Sequence, residues 1–183
     1  MNSFRPVDPA TATGKAAELL ADVQKTLGLT PNMTKVMANS PALLQGYLAL
    51  SGALAGGVLP AGVRERLAIA TAEYNGCAYC LSAHTYIGAN IAKVDALELE
   101  AARDAKASDP HAAALLALSD AIARGRGNVD DAALRAAQDA GATDAEIGEV
   151  VGHLALNVLT NYYNILAKVD NDWPVVTPRA HAA

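Results

Sequence analysis

Glu73-Tyr74-Asn75-Gly76-Cys77-Ala78-Tyr79-Cys80-Leu81-Ser82-Ala83-His84 carries a turn signal between two helix-like runs. Glycine costs about 0.5–1 kcal/mol inside a helix and Asn-Gly is a turn dipeptide, so the chain is expected to reverse at Asn75-Gly76. A reversal makes an antiparallel helical hairpin, in which positions about equally far from the turn face each other. Glu65, some ten residues before the break, then lies opposite His84, about nine after it. An unbroken helix would instead align Glu73, Cys77, Cys80 and His84 on one stripe, with Glu73 as the reserve partner of the histidine.

The rest of the chain is helix-forming as well. Of 183 residues, 52% are hydrophobic but only 4% aromatic, so the apolar content is mostly Ala and Leu. These side chains lose little rotamer freedom in a helix. The expected class is all-α, one helical domain over residues 1–183. Helices are predicted from Lys15 to Leu27, from Asn32 through Met37, from Pro41 to Leu54, from Ala61 to Glu73, and from the cysteines to Asn90. Further ones follow near Asp95–Ala105, Asp109–Arg124 and Asp130–Ala140. Ser40-Pro41 reads as a cap followed by proline at the first helical position. Thr143-Asp144-Ala145-Glu146 has capping-box spacing and opens a last long helix. Its expected core stripe is Ile147, Val150, Val151, Leu154, Val158, Tyr162, Ile165 and Val169, and Asp172-Trp173-Pro174 ends it. The Pro-bearing stretch up to Gly14 is expected to lie over the surface or against a partner subunit.

A net charge of −5 with scattered Lys and Arg gives no basic stripe for nucleic acid. No apolar run approaches the roughly 20 residues that span a bilayer, so no membrane association is expected. The first residues lack the basic-then-apolar order of a secretory signal, which predicts a cytoplasmic location. Two cysteines close together in a reducing compartment point to redox chemistry or metal binding.

Cys77 and Cys80 form a Cys-x-x-Cys pair, and His84 stands four residues beyond Cys80, on the same helical face. A helix N-terminus favours a thiolate, and the thiolate is the nucleophile. The imidazole is placed to take a proton from Cys80 and return it to a leaving atom. Other readings stay open at this point. Cys77, Cys80, His84 and the distant His153 would make a four-ligand zinc set, and Glu65 in Val63-Arg64-Glu65-Arg66-Leu67 would be an ordinary solvated charge.

Arg64-Glu65-Arg66-Leu67 together with Asn75-Gly76-Cys77-Ala78-Tyr79-Cys80-Leu81-Ser82-Ala83-His84 resembles the carboxymuconolactone decarboxylase-like superfamily, and more narrowly its alkylhydroperoxidase D-like, peroxidase-related branch. The likeness covers about residues 41–123. The tail Thr160-Asn161-Tyr162-Tyr163-Asn164 … Asp172-Trp173-Pro174 resembles the same branch. The resemblance implies an alkylhydroperoxidase D-like helical bundle assembled as a trimer or hexamer of like subunits. It implies a cofactor-free, metal-free peroxidase in which Cys80 attacks a small peroxide and Cys77 resolves the sulfenic acid as a disulfide. His84 and Glu65 would relay the proton, and a lipoyl-bearing or thioredoxin-like dithiol would recycle the enzyme. The decarboxylase branch lacks this cysteine pair; lactone chemistry on His84 and Glu65, or a redox sensor without turnover, are the alternatives. One position departs from the pattern: Tyr79 stands where the branch has a second histidine. A phenol with an unperturbed pKa of about 10 is a poor base near neutrality. His153, on a polar stripe with Asn157, Thr160 and Asn164, is a candidate replacement, against the plainer reading of that stripe as a solvated face or subunit contact.

Overall fold

A computed structural model describes residues 3–179, and among these the chain is helical with no strand. The helices are α1 (Gly14–Leu27), α2 (Asn32–Met37), α3 (Pro41–Ala55), α4 (Ala61–Asn75), α5 (Ala78–Asn90), α6 (Ala96–Ala102), α7 (Pro110–Gly125), α8 (Asp131–Asp139) and α9 (Asp144–Ala167). The caps are those the side chains dictate. Ser40 accepts the Leu43 N–H at 3.3 Å ahead of Pro41, and Asp109 accepts the Ala112 N–H at 2.8 Å ahead of Pro110. At α9 the Glu146 N–H donates to Thr143 Oγ1 at 3.2 Å while the Thr143 N–H donates to Glu146 Oε2 at 2.9 Å.

The central element is α4, which packs against α5, α6, α7 and α9. Every residue from Leu67 to Glu73 is buried, so these roughly two turns are enclosed on all sides rather than on one stripe. The small side chains of Ala68, Ala70 and Ala72 let the neighbours come close. The chain reverses after it at Gly76, whose φ of +71° is open to glycine without strain. There the Gly76 N–H donates to Glu73 O and the Cys77 N–H to Ala72 O at 2.9 Å, closing the open carbonyls of α4. α5 then runs back along α4. At Gly88 it also meets α6 so closely that a Cβ would lie 2.6 Å from Leu99 Cδ2, with Glu65 Cβ of α4 at an ordinary 3.7 Å.

Glu73 is not available to His84. Its carboxylate, 2% exposed, accepts from Arg103 Nε at 2.7 Å and from the Arg179 backbone N–H at 2.6 Å, tying α4 to α6 and to the C-terminal segment. The N-terminal stretch crosses α2 and the end of α9: the Val7 N–H donates to Lys35 O, and the Phe4 ring meets Tyr163 edge-on at 6.1 Å.

Three expectations are corrected. α6 ends at Ala102 rather than Ala105, and α9 ends at Ala167, before Val169 and the Asp172-Trp173-Pro174 stop. On α9 the assumed core stripe is half inverted: Val150 and Leu154 are buried, but Val151, Tyr162 and Ile165 are exposed. The face turned inward carries His153, Asn157, Thr160, Asn161 and Asn164, so the polar stripe is interior, not solvated.

Candidate active site

Cys77 begins α5 as its cap residue. Its N–H serves α4, while its Sγ accepts the Cys80 N–H at 3.3 Å. Tyr79, Cys80 and Leu81 follow on the first turn, all buried. The two free thiols, 1% and 3% exposed, have their sulfurs 2.8 Å apart, with Cys77 donating to Cys80. Being at the helix start does not make Cys77 the thiolate. Its hydrogen bond to Cys80 and its burial push its pKa up.

Cys80 is the ionising sulfur. Burial opposes its charge, but the Cys77 thiol, the Asn164 amide, the charge of His84 and the Asn161 amide outweigh that and bring its pKa down to about 7. The Asn164 Nδ2–H donates to Cys80 Sγ at 3.1 Å and to Met33 Sδ at 3.3 Å. His84 Nδ1 lies 2.8 Å from Glu65 Oε2, with both side chains only partly exposed. A proton held on Nδ1 toward Glu65 leaves Nε2 as the basic nitrogen of the ring. Burial works against the imidazolium, but the Glu65 charge, its hydrogen bond and the Cys80 charge prevail and raise the pKa of His84. The lowered Cys80 and the raised His84 pKa favour the same arrangement, a thiolate beside an imidazolium.

Cys80 and His84 open into a cavity of about 210 Å³. Its polar floor adds Tyr47, Ser51, Asn157 and Thr160, and its walls are apolar, among them Met33, Ile87, Leu156 and Trp173. Lining residues Leu27, Leu29 and Ile91 are exposed, which places the open rim there. Burial and the nearby Cys80 charge raise the Tyr47 pKa to about 12, against a hydrogen bond to Ser51. Tyr47 is thus a protonated hydrogen-bond donor in the neutral range.

The hairpin thus brings Cys77, Cys80, His84 and Glu65 together, and leaves Glu73 apart. Arg64 and Arg66 beside Glu65 have structural partners: Arg64 Nη1 donates to Ala55 O and Leu59 O, and Arg66 pairs with Glu98 at 2.8 Å. Glu65 itself faces inward to His84. Tyr79 is no base: burial and the acceptor Asp172, 2.7 Å from its hydroxyl, push its pKa up. Nor does His153 replace a histidine there. It lies outside the cavity wall, its Nε2 has no partner, and burial and the Arg64 charge lower its pKa. Among the described residues, no three His, Cys, Asp or Glu side chains converge to hold a metal, so the Cys77/Cys80/His84/His153 zinc set is not assembled. Tyr47 and Ser51 were not legible as site residues, since nothing in their local spacing links α3 to Cys80. Asn161 and Asn164 were signalled only by the resemblance of the Thr160–Asn164 tail and, for Asn164, by the polar stripe of α9.

Residues 41–121 match the family model described as carboxymuconolactone decarboxylase family. An alkyl hydroperoxide reductase of Mycobacterium tuberculosis is 33% identical over 86 residues, 46% of this chain, and the match spans only 25% of that relative's length. A solved alkylhydroperoxidase AhpD core, a peroxidase-related protein from Ralstonia eutropha, superposes with a TM-score of 0.83 at 23% identity, covering 93% of this chain and 92% of that one. The debrominase Bmp8 bound to 2,3,4-tribromopyrrole superposes with a TM-score of 0.78 at 18% identity, over 94% and 92% of the two chains. These likenesses establish a shared fold that also hosts chemistry other than peroxide reduction. With its dithiol hairpin and helical frame, the chain is similar to the carboxymuconolactone decarboxylase family over residues 41–121 and has an alkylhydroperoxidase D-like fold.

Proposed function

We propose that the protein is a thiol-dependent peroxidase with Cys80 as the attacking sulfur. The observation that carries the reading is a buried Cys80 held near its ionisation point beside the His84–Glu65 pair, with a protonated Cys77 thiol 2.8 Å away. In the first step the Cys80 thiolate attacks the terminal oxygen of a hydroperoxide. The S–O bond forms as the O–O bond breaks, and the alkoxide takes its proton from His84, leaving Cys80 as sulfenic acid. Next the Cys77 sulfur displaces that hydroxyl as water and closes the Cys77–Cys80 disulfide. Glu65 holds the ring of His84 through both proton transfers.

The disulfide is returned to dithiol by an external reductant, itself oxidised to a disulfide. Both sulfurs are buried and Cys80 is reached through a cavity, which favours a slender dithiol arm such as dihydrolipoyl over the broad face of a thioredoxin-like protein. Among the described residues no helix is long and apolar enough to cross a membrane, and we infer action in the cytoplasm. Exposed apolar side chains on α9, with Tyr162 at 60% and Leu166 at 67%, support assembly with further copies, a trimer or hexamer by family.

Stopped-flow peroxide consumption tests the reading. Wild type is expected to consume cumene hydroperoxide with dihydrolipoamide as reductant, Cys80→Ser to consume none, and Cys77→Ser to stop at a dimedone-trappable sulfenic acid. Retained turnover in Cys80→Ser sinks the proposal. Halide release from a brominated arene without peroxide turnover would replace it with the debrominase chemistry that the shared fold also hosts. A change of assembly size on oxidation, without turnover, would make the protein a redox sensor.

A further inference from the structure

α9 ends at Ala167, capped by Lys168, and the chain continues without helix along α5 to Arg179. Both flanks of Trp173 on this strap are fastened by side chains. Asp172 Oδ2 accepts the Tyr79 hydroxyl at 2.7 Å and the Asn32 backbone N–H at 2.8 Å. Ser82 Oγ accepts from Asn171 Nδ2 at 3.0 Å and from the Val176 N–H at 2.9 Å. Beyond, Arg103 donates to Thr177 O. The indole of Trp173 is held differently. It rests on the Tyr86 ring at 5.3 Å between centroids, its Nε1–H faces the Tyr79 hydroxyl without a well-formed hydrogen bond, and one side of it forms cavity wall.

We propose that Trp173 is a specificity-determining wall of the Cys80 cavity, presented by a strap that Tyr79 and Ser82 fasten to the dithiol helix, and that it admits slender apolar molecules while excluding broad ones. Most other wall residues belong to helices whose positions the core sets. Trp173 belongs to an element held by hydrogen bonds, so its bulk can change without disturbing the bundle. Tyr79, between the two cysteines in sequence, thereby gains a role different from the histidine of the family pattern: it anchors the strap. The inference rests on the cavity being the reaction chamber of Cys80, and its first test needs no peroxide turnover.

In a Cys77→Ser background Cys80 is the only thiol of the chain. Its alkylation by iodoacetamide and by pyrenyl maleimide compares a narrow with a broad reagent. Trp173→Ala is expected to raise the pyrenyl rate about tenfold while the iodoacetamide rate stays within about twofold, the scale on which an apolar wall discriminates. Trp173→Phe should recover most of the exclusion. Tyr79→Phe should raise the pyrenyl rate by a smaller factor, because Asp172 keeps the Asn32 N–H. Equal changes for both reagents, or none, would overturn the proposal. If Trp173→Ala alters the circular dichroism, the Trp173→Phe ratio decides alone. With Cys77 intact, the same variants should shift kcat/KM toward cumene hydroperoxide relative to hydrogen peroxide. If no variant turns over peroxide, the peroxidase reading fails while the alkylation ratio still decides the wall.

Discussion

The α4–α5 hairpin and α9 meet at Cys80 from opposite directions, and they are built on opposite rules. The hairpin places its reactive groups by local geometry: a glycine in the left-handed region, a cap, and a histidine one helical turn beyond the sulfur. α9 contributes by turning its polar face inward and leaving part of its apolar face exposed. Burying polar groups costs about 1–3 kcal/mol for each left unpaired, and Asn164 Oδ1 has no partner. That expense is spent at the sulfur, where Asn164 donates to Cys80. Burial along a helix therefore identifies the site where hydropathy alone would identify a core.

The comparison is open to attack on both sides. The largest effect belongs to the hairpin: His84→Ala should slow sulfenic acid formation at Cys80 by about 10²–10⁴-fold, read by stopped flow at neutral pH. A loss below about threefold would mean that proximity of the two thiols, not the relay, does the chemistry. Also on the hairpin, Arg103→Leu removes a charge partner of the buried Glu73 carboxylate and should cost about 3–5 kcal/mol in denaturant unfolding. Because Glu73 serves the frame, Cys80 alkylation by iodoacetamide should change little; a large change would restore Glu73 to the site.

On α9 the effects are smaller. Cys80 reactivity against pH should rise through about 7 as the thiolate forms. Peroxide reduction should fall again at higher pH once His84, whose pKa is raised, loses its proton. Asn164→Leu should move the rising limb upward and cut the rate at neutral pH about tenfold, the scale of one hydrogen bond to a charged atom. An unmoved limb would reduce α9 to packing. The sign for stability follows from the same depression. Thiolate-linked stabilisation is full above the ordinary thiol pKa of 9.0 and is lost as pH falls through about 7. The smallest effect is Tyr162→Ser on the exposed face. It should change unfolding free energy by less than about 0.5 kcal/mol while lowering the assembled mass in light scattering.

Glu65 was legible because a hairpin with a known turn converts sequence distance into spatial opposition; the 2.8 Å contact with His84 lies where that arithmetic puts it. The apolar stripe of α9 misled because exposed Tyr162 and Ile165 satisfy helical periodicity as well as buried ones do. Tyr79 drew attention as a missing histidine, yet its partner Asp172 is 93 residues away, beyond any local signal.

The sequence by itself determined the helical class, the turn at Asn75-Gly76, the caps, and the grouping of Cys77, Cys80, His84 and Glu65. All of these depend on interactions within a few residues or across one hairpin. Only the tertiary structure decided which distant donors meet Cys80, which face of α9 is interior, and that Trp173 walls the cavity. Those outcomes depend on desolvation and on donors arriving from distant segments.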